Sequence, residues 1–217
     1  MRIAIIGVGN VGTALSRAFA ALGHTVVLSA QDPKHAVARA LDIAADLGAE
    51  IGVEAAQSNA EAVDGANLIV LAIPSVAIAS VTEDIRAHIH DAIVVDPTNP
   101  VNAGLSDLLT DSGSAAEGIA LLLPGVRVVK AFNTVFAANL TKPIVNGLPL
   151  DGFFAGNDEA AKTVIAELLA AMGFRPLDTG GLATARALEE MALLNMNFNM
   201  RYGWPWQTAW KLLGPTT

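Results

Sequence analysis

The chain has 217 residues, of which 53% are hydrophobic and 16% are charged, so it can build a large core and is not a disordered segment. It contains no cysteine, which excludes a disulfide framework and cysteine-based metal sites, and its four histidines lack the spacing of a metal site. The net charge of −8 argues against a nucleic-acid partner, and no apolar run reaches the roughly 18–20 residues of a membrane span.

Short apolar runs alternate with Ala-rich amphipathic segments over the first part of the chain, as in repeated strand–helix units. The first residues form a strand pattern instead of a signal peptide, so we expect a cytoplasmic protein. In chain order the sequence predicts a strand at 2–6, a helix at 11–22, a strand at 25–29, a helix at 33–47, a weak strand at 50–54, a polar segment at 58–64, a strand at 68–73, a helix at 76–89, a strand at 92–95, a loop at 96–102, a helix at 115–122 and a strand at 126–131.

The pattern changes after residue 140. A strand at 153–155 precedes a helix that Asp158 caps and that ends at Gly173, followed by an extended segment at 174–177 and a helix at 184–200. The whole pattern predicts an α/β fold of the Rossmann type, with a doubly wound, mostly parallel sheet and a small C-terminal helical extension. We assign residues 1–180 to an NAD(P)-binding domain and residues 181–217 to the extension, which completes the acceptor cleft or a dimer interface.

The strongest motif is Gly-Val-Gly-Asn-Val-Gly at 7–12, a G-x-G-x-x-G turn between the first strand and the first helix. Gly7 permits the tight turn, a side chain at Gly9 would block a pyrophosphate, and Gly12 lets the helix approach the strand. The free amides and positive end of the helix then face the anion. This context predicts a dinucleotide site.

The end of the second strand indicates which dinucleotide binds. NAD-specific Rossmann proteins usually have an acidic residue there, but this chain has Ser29 and Ala30. Ser29, Gln31 and Lys34 can hydrogen-bond a 2′-phosphate, and Lys34 adds positive charge, whereas Asp32 favours NAD if it turns inward. The pattern therefore favours NADP and leaves NAD open.

Ligands of open parallel sheets bind beyond the carboxyl ends of the strands, which here are followed by loops at 72–75, 96–100 and 130–134. Asn99 and Asn133 offer amide donors and acceptors in these loops, although both residues are also common in turns. Lys130 is either a cation of the cleft or a charge at a strand end. The other residues expected to line the cofactor site are Ala72, Ile73, Pro74, Pro100 and Ala131.

The predicted cleft lacks the residues of several common reactions. Its loops contain no histidine, the chain has no G-x-S-x-G motif, and Tyr202 is its one tyrosine. Hydride exchange between two bound ring systems needs mainly alignment, because the cofactors carry the chemistry. We therefore expect this chemistry rather than that of an alcohol dehydrogenase, with Asn133 and Lys130 as the candidate catalytic residues and no metal ligands.

Several segments together resemble the coenzyme F-420 (F420)-dependent NADP oxidoreductase family, including the related NADPH-binding domains of the STEAP metalloreductases. The resemblance covers nearly the whole chain, and the Lys-Ala-Phe-Asn-Thr string at 130–134 is more specific than the Gly-rich turn. It implies hydride transfer between NADPH and a deazaflavin or flavin stacked on the nicotinamide. The segments are residues 7–12, 73–74, 96–100, 114–117, 128–134 and 175–178.

Carried over by position, the resemblance places Gly9, Asn10 and Val11 at the pyrophosphate, Ile73 and Pro74 near the ribose and nicotinamide, and Ala131 and Asn133 beside the transfer site. The chain departs from the family at Ala30-Gln31, where Ser-Arg is frequent, and at Asn133, where deazaflavin enzymes can have histidine. Two other functions stay open: an NADPH-dependent reductase of a small imine or carbonyl compound, protonated by Lys130 or water, and a noncatalytic NAD(P) sensor.

The last helix has an apolar stripe that includes Met191, Leu194 and Phe198, interrupted by asparagines, and the three tryptophans follow it. We expect the stripe to pack on the sheet or on a second subunit, while a role of its Met and Asn residues in the acceptor pocket is the alternative. Tryptophans near a chain end are typical interface anchors. We therefore expect a homodimer in which the tail closes a neighbouring cleft.

Overall fold

A computed structural model describes residues 1–48, 52–110 and 113–214, which contain ten strands and eight α-helices. The strands are β1 (Arg2–Ile6), β2 (Thr25–Ser29), β3 (Val53–Ala55), β4 (Leu68–Leu71), β5 (Ile93–Asp96), β6 (Arg127–Ala131), β7 (Ile144–Val145), β8 (Leu148–Pro149), β9 (Asp151–Gly156) and β10 (Arg175–Asp178). The α-helices are α1 (Asn10–Ala21), α2 (Pro33–Leu47), α3 (Asn59–Val63), α4 (Ile78–Ile85), α5 (Ala115–Leu122), α6 (Ala137–Leu140), α7 (Glu159–Met172) and α8 (Ala185–Tyr202).

Eight of the strands form one sheet in the order β10-β9-β6-β5-β4-β1-β2-β3, and β7 and β8 form a separate hairpin. All neighbours in the large sheet are parallel except β6 and β9. The strand β1 lies between β2 and β4, so the chain reverses its direction of travel across the sheet there. The carboxyl ends on both sides of β1 therefore border one crevice, where ligands of such sheets bind.

Side chains that alternate along each strand build a separate core on each face of the sheet. In β1, Ile3 and Ile5 face a core with α1, α2 and α7, whereas Ala4 and Ile6 face a core with α3, α4, α5 and α8. This arrangement confirms the predicted Rossmann-type α/β fold. Among the described residues, no helix combines the length and the hydrophobicity that crossing a lipid bilayer requires.

Most elements lie where the sequence predicts them, and β1, β2, α2 and α5 have the predicted bounds. The polar segment at 58–64 forms the short helix α3, which Ser58 caps. The predicted strand at 50–54 begins outside the described residues, and β3 starts three residues and ends one residue later than predicted. The helix α6 and the hairpin β7–β8 are additional elements, too short to give a periodic pattern.

The helix α8 differs from the prediction in the face that it buries. Asn195 and Asn199 are buried, whereas Leu194 and Phe198 are exposed. Asn199 accepts a hydrogen bond from the backbone amide of Trp206 at 3.0 Å, and its amide group donates to the Thr208 hydroxyl at 2.6 Å. The tail that follows α8 covers the asparagines, and Leu194 and Phe198 do not pack on the sheet, which leaves a second subunit as the expected partner of the apolar stripe at these positions.

The tail after α8 is fixed to the sheet through the buried carboxylate of Asp151 in β9. That carboxylate accepts hydrogen bonds from Arg175 at 2.7 Å, from Lys211 at 2.8 Å and from the Leu212 amide at 2.6 Å. Burial by itself would raise the pKa of Asp151, but the bonds from Arg175 and Lys211 outweigh it and lower the pKa below its ordinary value. The charged carboxylate thus connects β9, β10 and the tail.

Candidate functional site: a dinucleotide cleft

The turn between β1 and α1 requires glycine at two positions because of close backbone contacts. Gly7 has a φ of +101°, and a Cβ there would lie 2.2 Å from the carbonyl oxygen of Ala72. A Cβ at Gly12 would lie 1.9 Å from the carbonyl oxygen of Gly7. The turn and the helix therefore approach each other as the motif predicts, and neither position has room for a side chain.

Gly9, the residue before α1, has a different environment. A Cβ at Gly9 would meet nothing within 4 Å, and its φ of −70° is available to any residue. No side chain caps α1 and no acidic residue lies in its first turn, whereas Asp32 caps α2, Ser114 caps α5 and Asp158 caps α7. The first amides of α1 are thus left for an external anion, and the site fits a diphosphate.

A cleft of about 790 Å³ opens at the carboxyl ends of β1, β2 and β4, where the strand order reverses. Its lining includes the exposed residue Gln31, which follows β2, and Pro74, which follows β4. Gln57, Ser58 and Asn59, which follow β3, complete its wall. The structure brings together these residues of the predicted cofactor site: Gly7, Gly9, Gln31, Ala72, Ile73 and Pro74.

Ser29 and Lys34, which were also predicted to bind the cofactor, do not line this cleft. Ser29 is fully buried, and its hydroxyl donates to the side-chain oxygen of Asn59 at 2.6 Å. Ser29 therefore orients a residue that lines the cleft. Lys34 is exposed in the first turn of α2, where its backbone amide bonds to Asp32 at 2.9 Å.

A groove of about 620 Å³ starts at Asn10 and Val11, at the beginning of α1, and continues toward the tail. Its walls include the rings of Phe136 and Trp206, whose centroids lie 5.3 Å apart in an edge-to-face arrangement. Arg39 of α2 lines the same groove, and its buried Nε has no hydrogen-bond partner among the described residues. The tail thus closes one side of a groove that begins at the predicted pyrophosphate position.

An amide pair connects the loops that follow β5 and β6. The side-chain nitrogen of Asn99 donates to the Asn133 carbonyl at 2.9 Å, and the side-chain nitrogen of Asn133 donates to the side-chain oxygen of Asn99 at 2.9 Å. The side-chain oxygen of Asn133 is buried and has no partner among the described residues, so it is a hydrogen-bond acceptor that the described chain leaves unsatisfied. Pro100 and Ala131, also predicted for the site, are buried beside this pair.

Lys130, near the end of β6, has no exposed surface. Its ammonium group donates to Asp96 at 2.8 Å, to Glu189 at 2.6 Å and to the carbonyl oxygen of Thr98 at 2.6 Å. These three bonds use all the protons of the group. The placement favours a positioning role for Lys130 over the direct proton transfer that the sequence analysis considered.

Several residues of this region were not predicted from the sequence, among them Arg39, Gln57, Asn59 and Glu189. Gln57 and Asn59 follow β3, so the rule used for the other strand ends would have found them. Glu189 lies on the same buried face of α8 as Ala185, Leu188 and Ala192. A carboxylate on a face that is otherwise apolar indicates that it is buried with a polar or charged partner. For Arg39 the sequence offers no such signal, because its position depends on how α2 packs against α1.

The parallel sheet and the uncapped helix start define a NAD(P)-binding protein of the Rossmann class. A family model described as "NADP oxidoreductase coenzyme F420-dependent" matches residues 2–100. The F420-dependent NADP reductase of Methanothermobacter thermautotrophicus is 33% identical over 211 residues, which cover 93% of this chain and 90% of that protein. The metalloreductase STEAP3 of Rattus norvegicus is 30% identical over 88% of this chain and 36% of that protein.

Among solved structures, a putative F420-dependent NADP reductase of Arthrobacter sp. FB24 has a TM-score of 0.84 and 30% identity, and the match covers 98% of this chain and all of that chain. The chain belongs to the family of coenzyme F420-dependent NADP oxidoreductases. It is therefore an oxidoreductase that uses NADP, and the resemblance stated from its motifs is confirmed.

Proposed function

We propose that the protein transfers a hydride between NADPH and F420 or a similar flavin-type acceptor. The observation that carries the proposal is the open start of α1, where Gly9 leaves the amides uncapped at the sheet's reversal point. The relatives named as F420-dependent NADP reductases match over about nine tenths of their own length, so they support the same pair of reactants.

The adenosine half of the cofactor belongs in the 790 Å³ cleft, with its diphosphate at the amides of Gly9, Asn10 and Val11. Gln31 and Lys34 would hold the 2′-phosphate, because both are exposed beside the end of β2 and no carboxylate occupies that strand end. Ser29 acts indirectly, through its bond to Asn59.

The nicotinamide half belongs at the ends of β5 and β6. When bound, NADPH supplies the hydride itself, so this chain needs to bind and orient the ring and exclude water. The unpartnered side-chain oxygen of Asn133 can accept a hydrogen bond from a carboxamide N–H group, while Asn99 fixes the Asn133 side chain.

The acceptor belongs in the groove that Phe136 and Trp206 border. Aromatic walls suit a flat, conjugated ring system, which both a deazaflavin and a flavin present. The groove runs from Asn10 and Val11 to Phe136, which follows Asn133 by three residues, and hydride transfer would require the acceptor ring to reach the nicotinamide beside Asn133. This placement gives the C-terminal tail a direct part in the acceptor site.

The test is rapid-mixing oxidation of NADPH, followed by the loss of its absorbance, with F420, FMN and a panel of cyclic imines. We expect oxidation with F420 or FMN that saturates with protein-bound NADPH. Turnover of the imines alone would replace the proposal with the imine reductase alternative. Tight NADPH binding without turnover of any acceptor would favour the sensor.

A further inference from the structure

The amide pair of Asn99 and Asn133 is held from both sides by residues next to one buried ion cluster. We define the cluster as Lys130, Asp96 and Glu189, whose side chains have no exposed surface. The Lys130 ammonium group binds the carbonyl oxygen of Thr98, the residue before Asn99, at 2.6 Å.

The other side of the amide pair depends on α8. The side-chain nitrogen of Asn133 donates to the carbonyl oxygen of Leu188 at 3.0 Å, and Leu188 directly precedes Glu189. Glu189 also accepts a hydrogen bond from the Ala115 amide at 3.0 Å, at the start of α5. The ion cluster thus joins β5, β6, α5 and α8 around the two asparagines.

Stability alone is a poor reason for such a cluster, because burying three charged groups costs solvation free energy that their attraction need not recover. The cluster pairs two carboxylates with one ammonium group, and one carboxylate oxygen of Glu189 has no partner among the described residues. Burial raises the pKa of Glu189 above its ordinary value, despite the attraction of Lys130. Three apolar side chains would fill the same space without losing the solvation free energy of charged groups.

We propose that Lys130, Asp96 and Glu189 are positioning residues, which set the orientation of the Asn133 side chain and so the affinity for the nicotinamide end of the cofactor. The inference rests on the proposed function, because it presumes NADPH in the cleft. It also gives α8 a function in cofactor binding, although its residues lie more than 50 positions after β6 in the chain.

The experiment compares Glu189→Ala with Glu189→Gln in the full chain. Glutamine keeps an oxygen that accepts from Lys130 and from the Ala115 amide, whereas alanine removes both bonds. Glu190→Gln is the matched control, because Glu190 is the next residue of α8 and forms an exposed ion pair with Arg186. The readouts are the Tm, the NADPH Kd from fluorescence, and the side-chain amide NMR signals of Asn133.

We expect Glu189→Ala to weaken NADPH binding about tenfold, the effect of roughly one well-oriented hydrogen bond, and to shift the Asn133 amide signals before any ligand is added. Glu189→Gln should bind within about threefold of the wild type, and Glu190→Gln should match it. A Glu189→Ala protein with a lower Tm but an unchanged Kd and unchanged Asn133 signals would overturn the inference.

If Glu189→Ala does not fold, the triple variant Asp96→Asn/Lys130→Met/Glu189→Gln gives the same test, since neutral groups of similar volume replace the whole buried cluster. It should show the same loss of affinity and the same displaced signals, and wild-type values for both would refute the positioning role. Failure of the wild type to bind NADPH would instead count against the proposed function.

Discussion

The side chains at the end of β2 decide between NADPH and NADH. Ala30 is partly buried there and Gln31 is exposed in the cleft, so the end of β2 itself carries no carboxylate. Asp84 of α4 also lines the cleft, where its carboxylate accepts a hydrogen bond from the Asn59 side-chain nitrogen at 3.4 Å. Asp32, which favoured NAD in the sequence analysis, caps α2 and bonds to the backbone amide of Lys34. Its carboxylate is thus engaged at the helix start, which supports NADPH as the cofactor.

A carboxylate placed at the end of β2 should reverse the preference. We expect Ala30→Asp to weaken NADPH binding by at least about tenfold, through repulsion of the 2′-phosphate, and to weaken NADH binding much less. Fluorescence titration with both cofactors measures the two Kd values, with Ala30→Ser as the neutral control. Equal losses for NADPH and NADH would contradict this account, as would a wild type that binds NADH more tightly.

Elements with a strong local signal could be predicted from the sequence, whereas those defined by distant contacts could not. Strands β1 and β2 are continuous apolar runs, and α5 begins with a Ser–Glu capping box at Ser114, so their bounds are encoded locally. The buried face of α8 is different, because the tail covers Asn195 and Asn199. Thr208 of the tail donates a hydrogen bond to Asn195, and the Trp206 amide donates one to Asn199. The spacing of apolar residues along α8 does not show that the tail covers these asparagines.

The exposed face of α8 and the tail should form a dimer interface. Large apolar side chains are exposed there together, which is unusual for a surface that faces water alone. They are Leu194, Phe198, Met200, Tyr202 and Trp204. We expect sedimentation to show a homodimer at micromolar concentration, Phe198→Glu to dissociate it, and Leu121→Glu on the exposed side of α5 to leave it intact. A monomeric wild type would rule out this interface.

The strand order of the sheet determines which of the predicted residues meet. The rule for parallel sheets predicted a cleft at the loops 72–75, 96–100 and 130–134. The structure places the first loop in the 790 Å³ cleft with Gly7 and Gln31, whereas the other two loops meet through the Asn99–Asn133 pair. The same rule could not show that Lys130 is buried, because its partner Glu189 comes from α8, 59 residues later. Strand-end positions are thus predictable, while the direction of each side chain depends on packing between distant segments.

The NADPH affinity of Gly9→Asp tests whether a dinucleotide binds at the start of α1. An aspartate at this helix start would cap α1 itself and repel a diphosphate, so the Tm should be unchanged or higher while NADPH affinity falls by roughly a hundredfold or more. Gly118→Ala is the control, because a Cβ there also meets nothing within 4 Å and Gly118 lies in α5, away from the cleft. A folded Gly9→Asp protein that binds NADPH as tightly as the wild type would contradict a dinucleotide site at the start of α1.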